Sequence, residues 1–245
     1  MSRVLAVVLL AGCAHAPLSR GSLEATRSVA IVSRIADEAG PHSTVFRDDS
    51  TYRAELDKRR IDSKEADRRL ALVLARGSFQ KDADGSRRLI AHTVSRFELG
   101  DTLRSQLLEK LPRRAPWTKS LNPGDVARVL ESFLVQEVPA NLPDYELLVP
   151  LGADTVVEIV IEDYGMRSDH GRPGAYLVGF ARMFRIGGGE VYHRRFAAAD
   201  ALSELEALDP FAVGKDATKF GERLKALMAG VTSLLADDLT PPAGQ

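Results

Sequence analysis

Apolar residues recur along this chain at two spacings, and each spacing names the element it builds. Over 154–164, Val157, Ile159 and Ile161 share one face while Glu158 and Glu162 lie on the other; period two with one charged face predicts a strand with a wet side. A second strand over about 175–185 runs into Ile186-Gly187-Gly188-Gly189-Glu190 and then Val191–Phe196, the pattern of a hairpin. The β-branched run Ser28-Val29-Ala30-Ile31-Val32, followed by the turn-forming Gly40-Pro41, predicts the first core strand. Three stripes follow the helical period instead. Leu99, Leu103, Leu107, Leu108 and Leu111 are stopped by Pro112, and Val126, Val129, Leu130, Phe133 and Leu134 begin after Asn122-Pro123. The last and longest, from Phe220 through Leu224, Leu227, Met228, Val231, Leu234 and Leu235 to Leu239, ends before Pro241-Pro242.

Two regions are less periodic. Residues 47–69 hold eight basic and seven acidic residues with few large apolar ones, and Glu55/Arg59 and Glu65/Arg69 stand at helical spacing, which predicts one or two solvated helices. The runs 70–75 and 89–94 flank the turn-forming stretch 81–86 and predict a hairpin, although the first run fits the end of the preceding helix equally well. No fixed-period internal repeat is present. These elements together predict a mixed α/β domain: one mainly antiparallel or mixed sheet with amphipathic helices packed on it, a single domain over 28–240, with 241–245 as a disordered tail.

Composition narrows the function classes. With 44% hydrophobic and 27% charged residues in 245, the chain has the balance of a globular protein. A net charge of −1 provides no global field for nucleic acid.

The amino-terminal segment carries the clearest address. Met1, Ser2 and Arg3 form a short positive leader, Val4–Leu10 is apolar, and small residues Ala11 and Gly12 precede Cys13, the sole cysteine of the chain. Seven apolar residues are too few to span a bilayer. Leu10-Ala11-Gly12-Cys13 resembles the bacterial lipobox. That resemblance implies cleavage between Gly12 and Cys13, a diacylglyceryl group on the Cys13 thiol, and acylation of the new amino terminus. Residues 1–12 are then a lipoprotein signal peptide and 13–27, rich in Ala, Pro, Ser and Gly, a lipidated tether. Ala14 in place of aspartate implies the outer membrane, facing the periplasm. A lone thiol outside the cytoplasm asks for an explanation, and lipidation supplies one.

Candidate chemistry is sparse. Glu158 and Glu162 are a carboxylate pair, the requirement of a glycosidase, but four residues along a strand separate their α-carbons by roughly 13 Å, more than those mechanisms use; cross-strand pairing with Arg182 or Arg194 is the simpler role. Asp169-His170 lies in an expected loop over 165–174 and could act as acid or base. A periplasmic hydrolase of wall glycan would rest on Asp169, His170 and the glutamates of 154–164. Gly187-Gly188-Gly189 lacks the lysine and hydroxyl residue of a P-loop and reads as a turn. The histidines, at 15, 42, 92, 170 and 193, show no metal-ligand spacing, and no cofactor is implied. Trp117, between two helices, reads as a core edge before it reads as a ligand wall. No catalytic residue is assigned.

The order from Leu151-Gly152-Ala153-Asp154-Thr155-Val156-Val157-Glu158-Ile159 through the hairpin Gly189-Glu190-Val191-Tyr192 to a long terminal helix is similar to envelope lipoprotein domains related to the curli secretion channel protein and to the amino-terminal domain of TolB. That resemblance implies a non-enzymatic assembly, scaffold or binding accessory, held by acyl chains on Cys13 and meeting an envelope protein partner or further copies of itself.

Overall fold

The structure, a computed structural model, describes residues 15–76, 79–81, 87–89, 96–131, 144–203 and 205–240. Cys13, the leader, His92 and the tail 241–245 lie outside the described residues, as do Phe133 and Leu134 of the expected second helical stripe.

The fold is mixed α/β. Its main sheet is built on β2 (Val29–Ile35), β6 (Thr155–Asp169), β7 (Arg172–Arg185) and β8 (Glu190–Ala199). β2 runs parallel to β6, with Val29 beside Thr155 and Ile35 beside Ile161, whereas β6, β7 and β8 are antiparallel neighbours. Two short strands complete it: β1 (His15–Ala16) on the free edge of β8 and β3 (His42–Ser43) beside the far end of β6. A Cβ on Gly165 would strike the backbone of His42, so glycine is what lets β3 lie there.

The strands expected over 28–32, 154–164, 175–185 and 191–196 and the helices expected over 99–111 and 220–239 form where periodicity placed them. Val157, Ile159 and Ile161 are fully buried on the inner face of the sheet, against α5 (Arg96–Lys110) and α8 (Thr218–Asp238). α5 buries Leu99, Leu103 and Leu107, and α8 buries Phe220, Leu224, Leu227, Met228, Val231 and Leu235; each such side chain contributes about 1.5–3 kcal/mol against leaving it in water. The two helices are clipped together by Lys110, whose Nζ donates to Ala229 O (2.5 Å), Ser233 Oγ (2.7 Å) and Thr232 Oγ1 (2.9 Å). Burial lowers the Lys110 pKa.

A second, smaller core lies on the outer face. There α6 (Pro123–Glu131) and a 3-10 helix over Tyr145–Leu151 bring Val126, Leu130, Tyr145 and Leu148 onto Ala30, Val32 and Val156. Trp117 is buried in the main core.

Three expectations are corrected and one open alternative is resolved. The stretch 13–27, read as a free tether, is folded from residue 15 onward: β1 pairs with β8, α1 (Arg20–Glu24) follows, and Leu18 is buried in the main core with Leu23 packed on it. The charged segment 47–69 is helical as expected, within α2 (Val45–Asp48), α3 (Ser50–Lys58) and α4 (Ser63–Arg76), but it is not wholly solvated: Leu56 and Ala66 join the core, beside the flanking Val45, Phe46, Leu70 and Leu74 of the same helices. Of the two readings of the run 70–75, the end of the preceding helix is the one that forms, as part of α4; a hairpin follows, its described strands being β4 (Phe79–Lys81) and β5 (Arg87–Leu89), while 90–94 lie outside the described residues. The expected loop over 165–174 is strand almost throughout, turning at His170 (φ 50°) and Gly171 (φ 74°), because Met166 and Ala175 bury fully and extend the ladder. A short α7 (Pro210–Val213) had no periodic signal.

Candidate functional site

The alternation that assigned Glu158 to a wet face fails for a physical reason. The second layer covers that face, and Glu158 is completely buried. Ladder register puts Val32 of β2 and Arg182 of β7 on either side of it, with Arg34 two residues along β2. One carboxylate oxygen accepts from Arg34 Nε (2.8 Å) and from the Tyr145 hydroxyl (2.5 Å), the other from Arg182 Nε (2.5 Å). Arg182 in turn lies 5.0 Å above the Phe184 ring, which packs against Tyr145 at 5.4 Å. Of the two arginines proposed as cross-strand partners, Arg182 fills the role; Arg194 points to the other face, 3.5 Å from Asp238.

A buried carboxylate is costly unless its lone pairs and charge are answered. Burial pushes the Glu158 pKa up, but the hydrogen bonds from Tyr145 and Arg34 and the charges of both arginines outweigh it, and the net shift is downward. The same arrangement raises the Tyr145 pKa, first by burial and then through Glu158. At neutral pH the site is therefore a carboxylate between two guanidinium groups, with the phenol as a donor.

Two further charge pairs lie on this face. Arg195 bonds Glu162 at 2.5 Å, half exposed, and His193 stands 3.3 Å from Glu190 while its ring stacks on Phe180 at 5.6 Å. Exposed pairs of this kind are worth about 0–1 kcal/mol.

The residues of the hydrolase alternative are not brought together. Glu158 is sealed, Glu162 is engaged by Arg195, and Asp169 with His170 (Nδ1 to Oδ1, 2.6 Å) sits on the exposed hairpin tip, eleven residues or roughly 35 Å along the strand from Glu158. Gly187-Gly188-Gly189 forms the turn between β7 and β8. Among the described residues no group of three potential metal ligands occurs, and no helix is long and apolar enough to cross a membrane.

Three polar clusters escaped the sequence because their members are far apart in it. His42 Nδ1 lies 2.9 Å from Asp163 Oδ1, and the Tyr176 hydroxyl donates to Asp163 Oδ2 at 3.1 Å beneath the Arg167 guanidinium, an arrangement that pins β3 to β6. Asp67, inside α4, accepts from Ser43 Oγ (2.7 Å), the backbone N–H groups of Phe46 and Arg47 (3.1 Å each) and Arg47 Nε (3.2 Å), which satisfies the open amino terminus of α2. Asp200 accepts from Ala175 N (2.6 Å) and faces Arg223 (3.4 Å). Beside Arg223, a groove of about 920 Å³ between α7 and α8 is lined by Leu208, Asp209, Val213, Asp216 and Glu222.

No family model and no curated protein matches the chain. Among solved structures, it is similar to the hypothetical protein CT253 from Chlamydia trachomatis, with a TM-score of 0.34 and 16% identity over 57% of this chain and 83% of that one. It is also similar to PelC from Paraburkholderia phytofirmans, described as a dodecamer, with a TM-score of 0.30 and 11% identity over 96% of this chain and 97% of PelC. At these scores the likenesses assign neither a family nor a function.

Proposed function

We propose that this protein is a lipid-anchored component of the bacterial cell envelope, tethered through Cys13 to the outer membrane on its periplasmic side, and that it acts there as a non-enzymatic assembly, scaffold or binding accessory. The observation that carries the proposal is Leu10-Ala11-Gly12-Cys13, a lipobox behind a charge-then-apolar leader that ends on the only cysteine of the chain. At about 0.8 kcal/mol per buried methylene, two or three acyl chains hold a protein by tens of kcal/mol. β1 begins at His15, the second residue after Cys13, and two residues reach at most about 7 Å. The anchor would thus leave the body of the protein no slack, with the β1–β8 edge of the sheet nearest the bilayer. A protein with this role meets an envelope partner or further copies of itself.

The test is membrane fractionation in the native host of wild type against Cys13→Ala. The wild type should sediment with membranes and resist salt and carbonate washes, and the variant should be released. Equal partition of the two removes the anchor.

A further inference from the structure

We propose that Arg34 and Arg182 together form an anion site on the outer face of the sheet, and that the anion they take is a carboxylate. Charge balance is the first reason. Among the described residues, two guanidinium groups face one carboxylate, Glu158, which leaves one positive charge of the cluster without a counter-ion there. Among the described residues the neighbouring carboxylates are engaged elsewhere: Glu162 is bound by Arg195 and Glu190 lies beside His193.

The donors are the second reason. Each arginine spends its Nε on Glu158, and among the described residues neither has a hydrogen-bond acceptor at its Nη groups. Both side chains are about a quarter exposed, at 23% and 24%, so the pair sits on a partly desolvated surface open to a ligand. Guanidinium N–H groups in such a setting bind planar oxyanions in bidentate fashion. Preorganisation is the third. Glu158 fixes both arginines from below, and the Phe184 ring fixes the plane of Arg182, so little rotamer freedom is left to lose on binding. A single excess charge matches a monoanionic carboxylate; a phosphate dianion would bring a surplus negative charge close to Glu158 and Glu162. This inference stands whether or not Cys13 carries lipid.

The test is a titration of the full chain, followed through the arginine Nε–Hε resonances, with sodium acetate, glucuronate, polygalacturonate and inorganic phosphate as separate probes. The Arg34 and Arg182 resonances should shift saturably with acetate and glucuronate. Tighter binding of polygalacturonate per carboxylate assigns the source as an acidic polymer, and equal or weaker binding assigns it as a free acid. Arg182→Gln should weaken glucuronate binding about tenfold or more. Arg182→Lys, which keeps the charge and the fold but loses the fork, should weaken it several-fold. Absence of saturation with every carboxylate probe, unchanged affinity in both variants, or tighter binding of phosphate than of glucuronate overturns the proposal. The wild-type titration decides the matter even if the glutamine variant does not fold.

Discussion

Replacing Glu158 by glutamine isolates the charge at the centre of the outer-face cluster. The side chain keeps its shape, but its single amide oxygen can accept from only one of Arg34 and Arg182, its NH2 turns a donor toward the other, and two guanidinium groups are left facing each other without a counter-ion. Removing one partner from a fully buried pair costs about 3–5 kcal/mol. Here the carboxylate has no exposure while the arginines retain 23% and 24%, so water screens part of the repulsion and the cost falls to about 2–3 kcal/mol. Arg182→Gln should do less harm, about 1 kcal/mol, because it leaves a neutral pair between Glu158 and Arg34 with the Tyr145 bond intact. In a protein of this size each kcal/mol moves Tm by about 2–4 °C, so Glu158→Gln should melt about 4–12 °C below wild type. Urea titrations of the two variants side by side read the difference. An Arg182→Gln variant as unstable as Glu158→Gln, or a Glu158→Gln cost below about 1 kcal/mol, would refute the charge argument.

The same carboxyl sets a pH dependence. Its pKa is lowered from the ordinary 4.5, so its stabilisation is complete above that value and is lost as pH falls through the folded-state pKa; urea midpoints should drop more steeply from pH 5 to pH 3 in wild type than in Glu158→Gln. Asp67→Ala should cost about 2–4 kcal/mol by stranding the N–H groups of Phe46 and Arg47 and the Ser43 hydroxyl, and amide exchange should show the protection of α2 and β3 falling with it. Gly179→Ala should lower Tm, because its Cβ would meet the backbone oxygen of Val160 and the ring of Phe196; a thermal scan that finds no change contradicts the close approach of β6 and β7.

Much of the architecture was legible because it depends on local period. The alternation at Val157, Ile159 and Ile161, the glycine turn at 187–189 and the leucine stripes of α5 and α8 each state their own structure. What escaped depends on partners far away in the chain. His15 and Ala16 have no pattern of their own and become a strand only by pairing with Arg194 and His193. Met166 read as loop because the ladder that buries it is completed by β3 and β7. The candidate site divides the same way. Arg182 was foreseeable as a cross-strand neighbour of Glu158, whereas Arg34 arrives from β2, 124 residues earlier, and the burial of Glu158 comes from α6 and the 3-10 helix closing over a face that alternation alone calls wet. Charge content hid the core role of Leu56 and Ala66 in the same manner: a few apolar residues among many charges suffice when they face inward.

The proposed anchor requires that the processed chain begin at an acylated Cys13. Intact mass spectrometry of the protein recovered from its native host tests it directly. The account predicts a polypeptide beginning at Cys13 with the added mass of a diacylglyceryl group and an amide-linked acyl chain, both missing from Cys13→Ala. A wild-type mass that includes Met1 and an unmodified thiol would contradict it.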